Sequence, residues 1–93
     1  MPDLNERVRR AEEAERMLHK DSLLSQVFDA LEAEYTDGWK RSQITEISIR
    51  EKFYSQYYAI RELRDSLRSL VGDGTRAARD MERIKREEGE LNA

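Results

Sequence analysis

The sequence predicts an all-α fold, and three observations lead to that prediction. Only one proline and four glycines occur in 93 residues, and the common residues are helix formers such as glutamate, arginine, leucine and alanine. Apolar residues recur at spacings of three and four. Charged residues make up 40% of the chain and alternate in sign, as on solvated helix faces. We therefore predict a helical hairpin with a short C-terminal helix and a looser N-terminal helix, in a single domain over 1–93.

The first predicted element is a peripheral helix within residues 1–20. Asp3 is a suitable N-cap, and Glu6 three residues later completes a capping-box pattern. The apolar stripe of this segment is sparse, and it consists of Leu4, Val8, Ala11, either Ala14 or Glu15, and Leu18. Because so little apolar surface lies on one face, we expect this helix to pack loosely.

The helical hairpin is predicted over residues 21–71. Asp21-Ser22 can cap its first helix, whose apolar residues follow an amphipathic helical period. That stripe consists of Leu24, Val27, Phe28, Leu31 and Tyr35. Asp37-Gly38 is a turn signal. We nevertheless expect the helix to continue to about residue 41, because Trp39 falls four residues after Tyr35 on the same face.

The second helix of the hairpin is predicted from about residue 46 to 71. Its apolar residues repeat at seven-residue intervals, which is typical of helical hairpins and coiled coils. They are Phe53, Tyr57, Ile60, Leu63, Leu67 and Leu70. Residues 42–48 are predicted to form the connection, as a loop that tucks an isoleucine into the core.

A break in the helix is predicted at Gly72-Asp73-Gly74, because glycine favours the left-handed conformation that ends helices. Thr75 can then cap a short helix over 75–86. The polar residues 87–93 are expected to form a frayed tail.

Composition and motifs argue against several functional classes. The chain has no cysteine, so it offers no disulfide and no thiolate for a metal or a nucleophile. No apolar run approaches the length of a membrane span, and the N-terminus has no signal-peptide core. The single histidine, His19, lies in a charged segment that suggests no catalytic partner. We therefore predict a protein that is not an enzyme, with no catalytic, cofactor or metal site.

Aromatic residues are concentrated between positions 35 and 58, and they are our candidate interface. Tyr54 and Tyr58 lie one residue off the predicted core stripe and form a second, adjacent stripe. Aromatic residues with polar tips are enriched at protein interfaces. The candidate protein-interface residues are Tyr35, Trp39, Tyr54 and Tyr58, with Asp29 and Glu32 from the acidic face. The alternative is that the aromatic residues form one wide core face.

Nucleic acid is a less favoured partner. Basic residues near the aromatic segment, among them Arg50 and Lys52, raise the option of nucleic-acid binding. The net charge of −3 and the lack of a nucleic-acid-binding motif argue against it.

Three stretches resemble a family of small helical proteins encoded by tailed bacteriophages and prophages. They are residues 14–18 (AERML), residues 28–35 (FDALEAEY) with Trp39 following, and residues 63–71 (LRDSLRSLV). The resemblance extends over most of the chain from Ala11 onward. It implies a phage origin, and it carries over no catalytic residue.

From these observations we expect a non-enzymatic bacteriophage protein that acts through helix–helix contacts, as a multi-copy virion or assembly component. The expected partners are further copies of the chain or other phage proteins, with no membrane. The expected location is the host cytoplasm during infection, or the virion. One alternative is a phage-encoded inhibitor of a host or defence enzyme that uses the acidic face. A weaker alternative is a DNA-packaging factor like the small terminase.

Overall fold

The computed structural model describes residues 3–92, and these residues form three α-helices and no strand. Helix α1 spans Leu4–Leu18, α2 spans Leu23–Arg41 and α3 spans Ile47–Asn92. The prediction of an all-α fold is confirmed.

The first two helices begin at the predicted caps. The Asp3 carboxylate accepts a hydrogen bond from the Glu6 backbone N–H at 2.8 Å. The Ser22 hydroxyl accepts one from the Ser25 backbone N–H at 3.0 Å. Each cap satisfies a backbone donor that has no partner within its own helix.

The molecule is a long rod, about two helices thick. Helix α3 has 46 residues, which corresponds to a length of about 69 Å, and the principal extents are 73 × 25 × 16 Å. Helices α1 and α2 both pack along α3, since Ala11 meets Gly74 and Gly38 meets Phe53. Leu4, at the start of α1, lies beside Met81 and Ile84, further along α3 than Gly74. Asp29, early in α2, pairs with Arg64, further along α3 than Phe53. Both helices are therefore antiparallel to α3.

The predicted break at Gly72-Asp73-Gly74 is wrong, because α3 passes through it without interruption. None of the described glycines has a positive φ, so Gly74 does not end a helix. Instead Gly74 allows close packing, since a Cβ atom there would overlap the Ala11 methyl group. The Thr75 hydroxyl donates to the Val71 carbonyl at 3.1 Å, within the helix.

The short helix predicted over 75–86 is therefore part of α3. The tail predicted over 87–93 is helical as far as Asn92, and Ala93 lies outside the described residues. The loose packing expected of the N-terminal helix also does not match the structure. Ala14 on α1 is only 1% exposed and Ala77 on α3 is fully buried, because small side chains let the two helices approach closely.

Helix α2 continues through Asp37-Gly38 to Arg41, as predicted. Gly38 again has a packing role, because a Cβ atom there would lie 2.5 Å from the Phe53 ring. The turn signal is overridden because the glycine allows the Phe53 ring to pack against the α2 backbone.

Hydrogen bonds between polar groups hold the connection between α2 and α3 in place. The expectation that an isoleucine tucks into the core is wrong for Ile44, which is 85% exposed, and for Ile47, which is 64% exposed. Arg50 holds the loop instead, because its guanidinium donates to the Ser42 carbonyl at 3.0 Å and to the Ser42 hydroxyl at 3.1 Å.

The core is thin. Its buried apolar residues within the described chain are Ala11, Ala14, Phe28, Ile60 and Ala77. Many larger apolar side chains stay exposed along the rod, and exposed apolar surface of this kind often marks a binding site. No helix among residues 3–92 combines the length and the apolar character that a membrane crossing requires.

Candidate protein-binding site

An open groove lies near the end of the rod where α2 and α3 are joined. It has a volume of about 320 Å³. Its lining consists of Tyr35, Thr36, Trp39, Phe53, Tyr54 and Tyr57. We call this surface the aromatic groove. The helical period explains the arrangement, because residues three and four apart on each helix share a face.

Trp39 forms one wall of the groove, and Arg50 packs against the Trp39 ring. The Arg50 guanidinium lies 4.3 Å from the centroid of the Trp39 ring, in a cation–π contact. The same guanidinium is anchored by its bonds to Ser42. Arg50 therefore holds the indole on one side, while Trp39 remains 42% exposed.

Tyr54 and Tyr58 extend the aromatic surface along the outside of α3. Their ring centroids are 6.3 Å apart with an angle of 18° between the ring planes. Both side chains are exposed. Residues four apart on a helix are neighbours, so the stack follows directly from the sequence spacing.

The structure thus brings the four predicted aromatic residues into one region. Tyr35, Trp39 and Tyr54 line the groove, and Tyr58 joins them through its stack with Tyr54. Arg50 is the residue whose role sequence reasoning missed. Its position eleven residues after Trp39 gives no local signal, because the two residues meet only through the turn between α2 and α3.

The predicted acidic residues lie elsewhere, in an ion-pair cluster between α2 and α3. Arg64 on α3 pairs with Asp29 at 2.5 Å and with Glu32 at 3.0 Å. The Arg64 guanidinium also lies 5.3 Å from the centroid of the Phe28 ring. The Arg64 side chain is 15% exposed. Asp29 and Glu32 therefore bind α2 to α3, in addition to any contact they make with a partner.

A second long-range ion pair joins α1 to α3. The Arg7 side chain donates to both carboxylate oxygens of Asp73, at 2.9 and 2.8 Å. The hydrogen bonds from Arg7 lower the pKa of Asp73 below its usual range. Partial desolvation raises this pKa, and the positive charges of Arg7 and Arg76 lower it further. No sequence signal connects positions 66 apart, so this pair was not predicted.

His19 lies just after α1, where its Nδ1 accepts a hydrogen bond from the Asp21 backbone N–H at 3.2 Å. Among residues 3–92, no group of three or more histidine, aspartate and glutamate side chains is arranged to hold a metal ion.

A comparison of the chain with protein-family models finds no match, and comparisons with curated proteins and with solved structures also find none.

Proposed function

We propose that this chain is a non-enzymatic assembly protein that acts through helix–helix contacts, as a multi-copy component of a bacteriophage virion or its assembly. The helical hairpin of α2 and the first half of α3 is the binding element in this proposal. The observation that carries it is the aromatic groove with its exposed Tyr54–Tyr58 stack, on a rod whose own core is thin. The phage origin is supported by the sequence resemblance.

The chemistry of the groove supports binding to protein. Tyrosine and tryptophan bury a large apolar area while a polar tip finds a hydrogen-bond partner, and they dominate the binding energy of many interfaces. The groove is formed by two regular helices, and Arg50 already holds Trp39. Little side-chain entropy is then lost on binding. The expected occupant is an apolar side chain from a helix of a partner protein.

The acidic-face alternative has weaker support than the groove. Asp29 and Glu32 are engaged by Arg64, while Glu34 and Asp37 are exposed. A variant with Glu34→Lys and Asp37→Lys reverses the exposed charges and leaves the Arg64 cluster intact. We expect it to retain partner binding if the groove is the binding site. Loss of binding would favour the acidic face.

Quantitative mass spectrometry of purified phage particles and of assembly intermediates tests the proposal. We expect several copies of the chain per particle or intermediate. A variant with Tyr54→Ser and Tyr58→Ser should be incorporated at least about tenfold less, the equivalent of 1.4 kcal/mol. Leu91→Ser is the matched control, because Leu91 is exposed at the far end of α3, and it should be incorporated normally. Absence of the wild-type chain from both samples would overturn the proposal.

A further inference from the structure

The end of the rod where α2 and α3 are joined carries two exposed isoleucine side chains. Ile44, in the turn, is 85% exposed, and Ile47, at the start of α3, is 64% exposed. Turns favour residues such as glycine, proline, asparagine and serine, and hydrogen bonds between Arg50 and Ser42 already hold this one. The fold therefore has no need of a large apolar side chain at either position. We call Ile44 and Ile47 the apolar tip.

Positive charge surrounds the apolar tip. Residues 39–52 contain four basic and two acidic residues, so this segment has a net charge of +2 in a chain whose net charge is −3. The basic residues are Lys40, Arg41, Arg50 and Lys52. Of the two acidic residues, Glu46 is engaged within the turn, where its carboxylate accepts a hydrogen bond from the Gln43 backbone N–H at 2.8 Å. The fold therefore gathers positive charge at one end of an otherwise acidic rod.

The basic residues lie a short distance behind the tip along the axis of the rod. Lys52 follows Ile47 by five residues of α3, a rise of about 7.5 Å, and Lys40 and Arg41 are in the last turn of α2. Apolar side chains of surface-bound segments enter a bilayer by about 5–10 Å. At that depth of the isoleucines, the basic groups reach the level of the lipid phosphates. Trp39, in the same turn of α2, is a residue type that prefers the boundary between water and lipid.

The shape of the tip favours a bilayer over a protein as its partner. The tip is the convex end of a rod that is about 25 × 16 Å in cross-section. A protein partner would bury two isoleucines on such an end only through a matching cavity, whereas the boundary between headgroups and acyl chains deforms around them. The positive charge around the tip complements the negative surface of a bilayer that contains anionic lipid.

We propose that the apolar tip docks this end of the rod on the surface of a bilayer that contains anionic lipid. Ile44 and Ile47 enter the boundary between headgroups and acyl chains, and Lys40, Arg41 and Lys52 contact the lipid phosphates and carboxylates. The sequence predicted no membrane partner because no apolar run is long enough to span a bilayer, but a surface contact needs only the tip. This inference goes beyond the proposed function, and neither isoleucine lines the aromatic groove.

Flotation with lipid vesicles tests the contact. The wild-type chain should bind vesicles of equal parts phosphatidylserine and phosphatidylcholine, and Ile44→Ser with Ile47→Ser should lower the partition coefficient at least about tenfold. Leu23→Ser with Leu91→Ser is the matched control and should bind normally, because Leu23 is 76% exposed and Leu91 is 85% exposed, but both lie away from the tip. No binding of the wild-type chain at micromolar concentration would overturn the proposal, and so would equal binding of the isoleucine variant.

Charge substitutions test the electrostatic part of the contact. Lys40→Gln with Arg41→Gln should bind the anionic vesicles at least several times more weakly than the wild type, and Arg50 is left unchanged because it holds the turn. Lys20→Gln with Arg79→Gln removes the same amount of charge away from the tip and should bind normally. Equal losses in the two variants would show that the net charge of the chain governs binding, which would contradict docking through the tip.

The fluorescence of Trp39 reports which part of the rod meets the bilayer, because it is the only tryptophan in the chain and lies three residues before Ser42 in the turn. Its emission should shift to shorter wavelength on vesicle binding, and lipids brominated on the acyl chains should quench it. Vesicle binding that leaves the Trp39 emission unchanged would place the contact elsewhere and overturn the proposal.

Particle incorporation separates this inference from the proposed function. If the wild-type chain enters particles but does not bind vesicles, the membrane proposal fails and the proposed function stands. If in addition Ile44→Ser with Ile47→Ser is lost from particles while circular dichroism shows unchanged helix content, the tip binds a protein instead.

Discussion

Arg7 on α1 binds both carboxylate oxygens of Asp73 on α3, at 2.9 and 2.8 Å, across 66 positions of the sequence. The next residue, Gly74, packs against Ala11 one helical turn further along α1. Asp73 and Gly74, which in the sequence suggest the end of a helix, therefore dock α1 onto the middle of α3. This contact accounts for both the continuity of α3 and the position of α1.

The Arg7–Asp73 pair should make stability depend on pH in the acid range. The pKa of Asp73 is lowered in the folded state, whereas an unfolded aspartate titrates near pH 3.9. The contribution is therefore complete above about pH 4 and is lost as the pH falls through the folded pKa. We expect the melting temperature of the wild-type chain to fall more steeply below about pH 4 than that of Asp73→Asn. Parallel curves for the two proteins would contradict this role of Asp73.

Gly74→Ala should destabilise the fold, although alanine is the better helix former. The added methyl group would overlap the Ala11 side chain, and overpacking of this kind costs about 1–3 kcal/mol. Chemical denaturation monitored by circular dichroism measures the change in the free energy of unfolding.

Gly72→Ala is the matched control for that experiment. A Cβ atom at Gly72 would meet only the Arg76 guanidinium, at 3.7 Å. We expect this variant to be more stable than the wild type by up to about 1 kcal/mol, because alanine replaces glycine inside a helix. Stabilisation by both substitutions would show that α1 does not pack at Gly74.

Arg64→Ala should cost about 2 kcal/mol of unfolding free energy, because it removes charge-assisted contacts to Asp29 and Glu32 and the packing of the side chain over Phe28. Arg68→Ala is the comparison, since Arg68 is 61% exposed and pairs only with nearby Asp65. Its effect should stay within about 0.5 kcal/mol. Equal effects of the two substitutions would show that the Arg64 cluster does not stabilise the α2–α3 pair.

Local sequence signals predicted α1, α2 and the starts of the helices, but neither the full length of α3 nor the packing of the helices. Asp3 and Ser22 act as caps because their hydrogen bonds reach only three residues along the chain. Gly74 was misinterpreted because the same residue type serves as a helix stop and as a site of close helix contact, and only the partner Ala11 distinguishes the two. The loop prediction failed for a similar reason, since Arg50 closes the turn from the next helix.

The candidate site shows the same contrast between contacts within one helix, which could be predicted, and contacts between helices, which could not. The Tyr54–Tyr58 stack is a local helix contact and could be predicted from its spacing. The cation–π contact of Arg50 with Trp39 depends on how α2 folds back onto α3, so the sequence did not indicate it. Asp29 and Glu32 were predicted as interface residues from charge alone. Arg64, which binds them, lies on another helix, 35 positions from Asp29.

The central claim is that copies of this chain complete one another, and the molecular mass in solution tests it most directly. Sedimentation equilibrium of the unmodified protein over a range of micromolar concentrations gives that mass without labels or substitutions. We predict a mass above the 11.0 kDa of one chain that falls toward this value on dilution. A constant mass of 11.0 kDa across the whole range would contradict the claim.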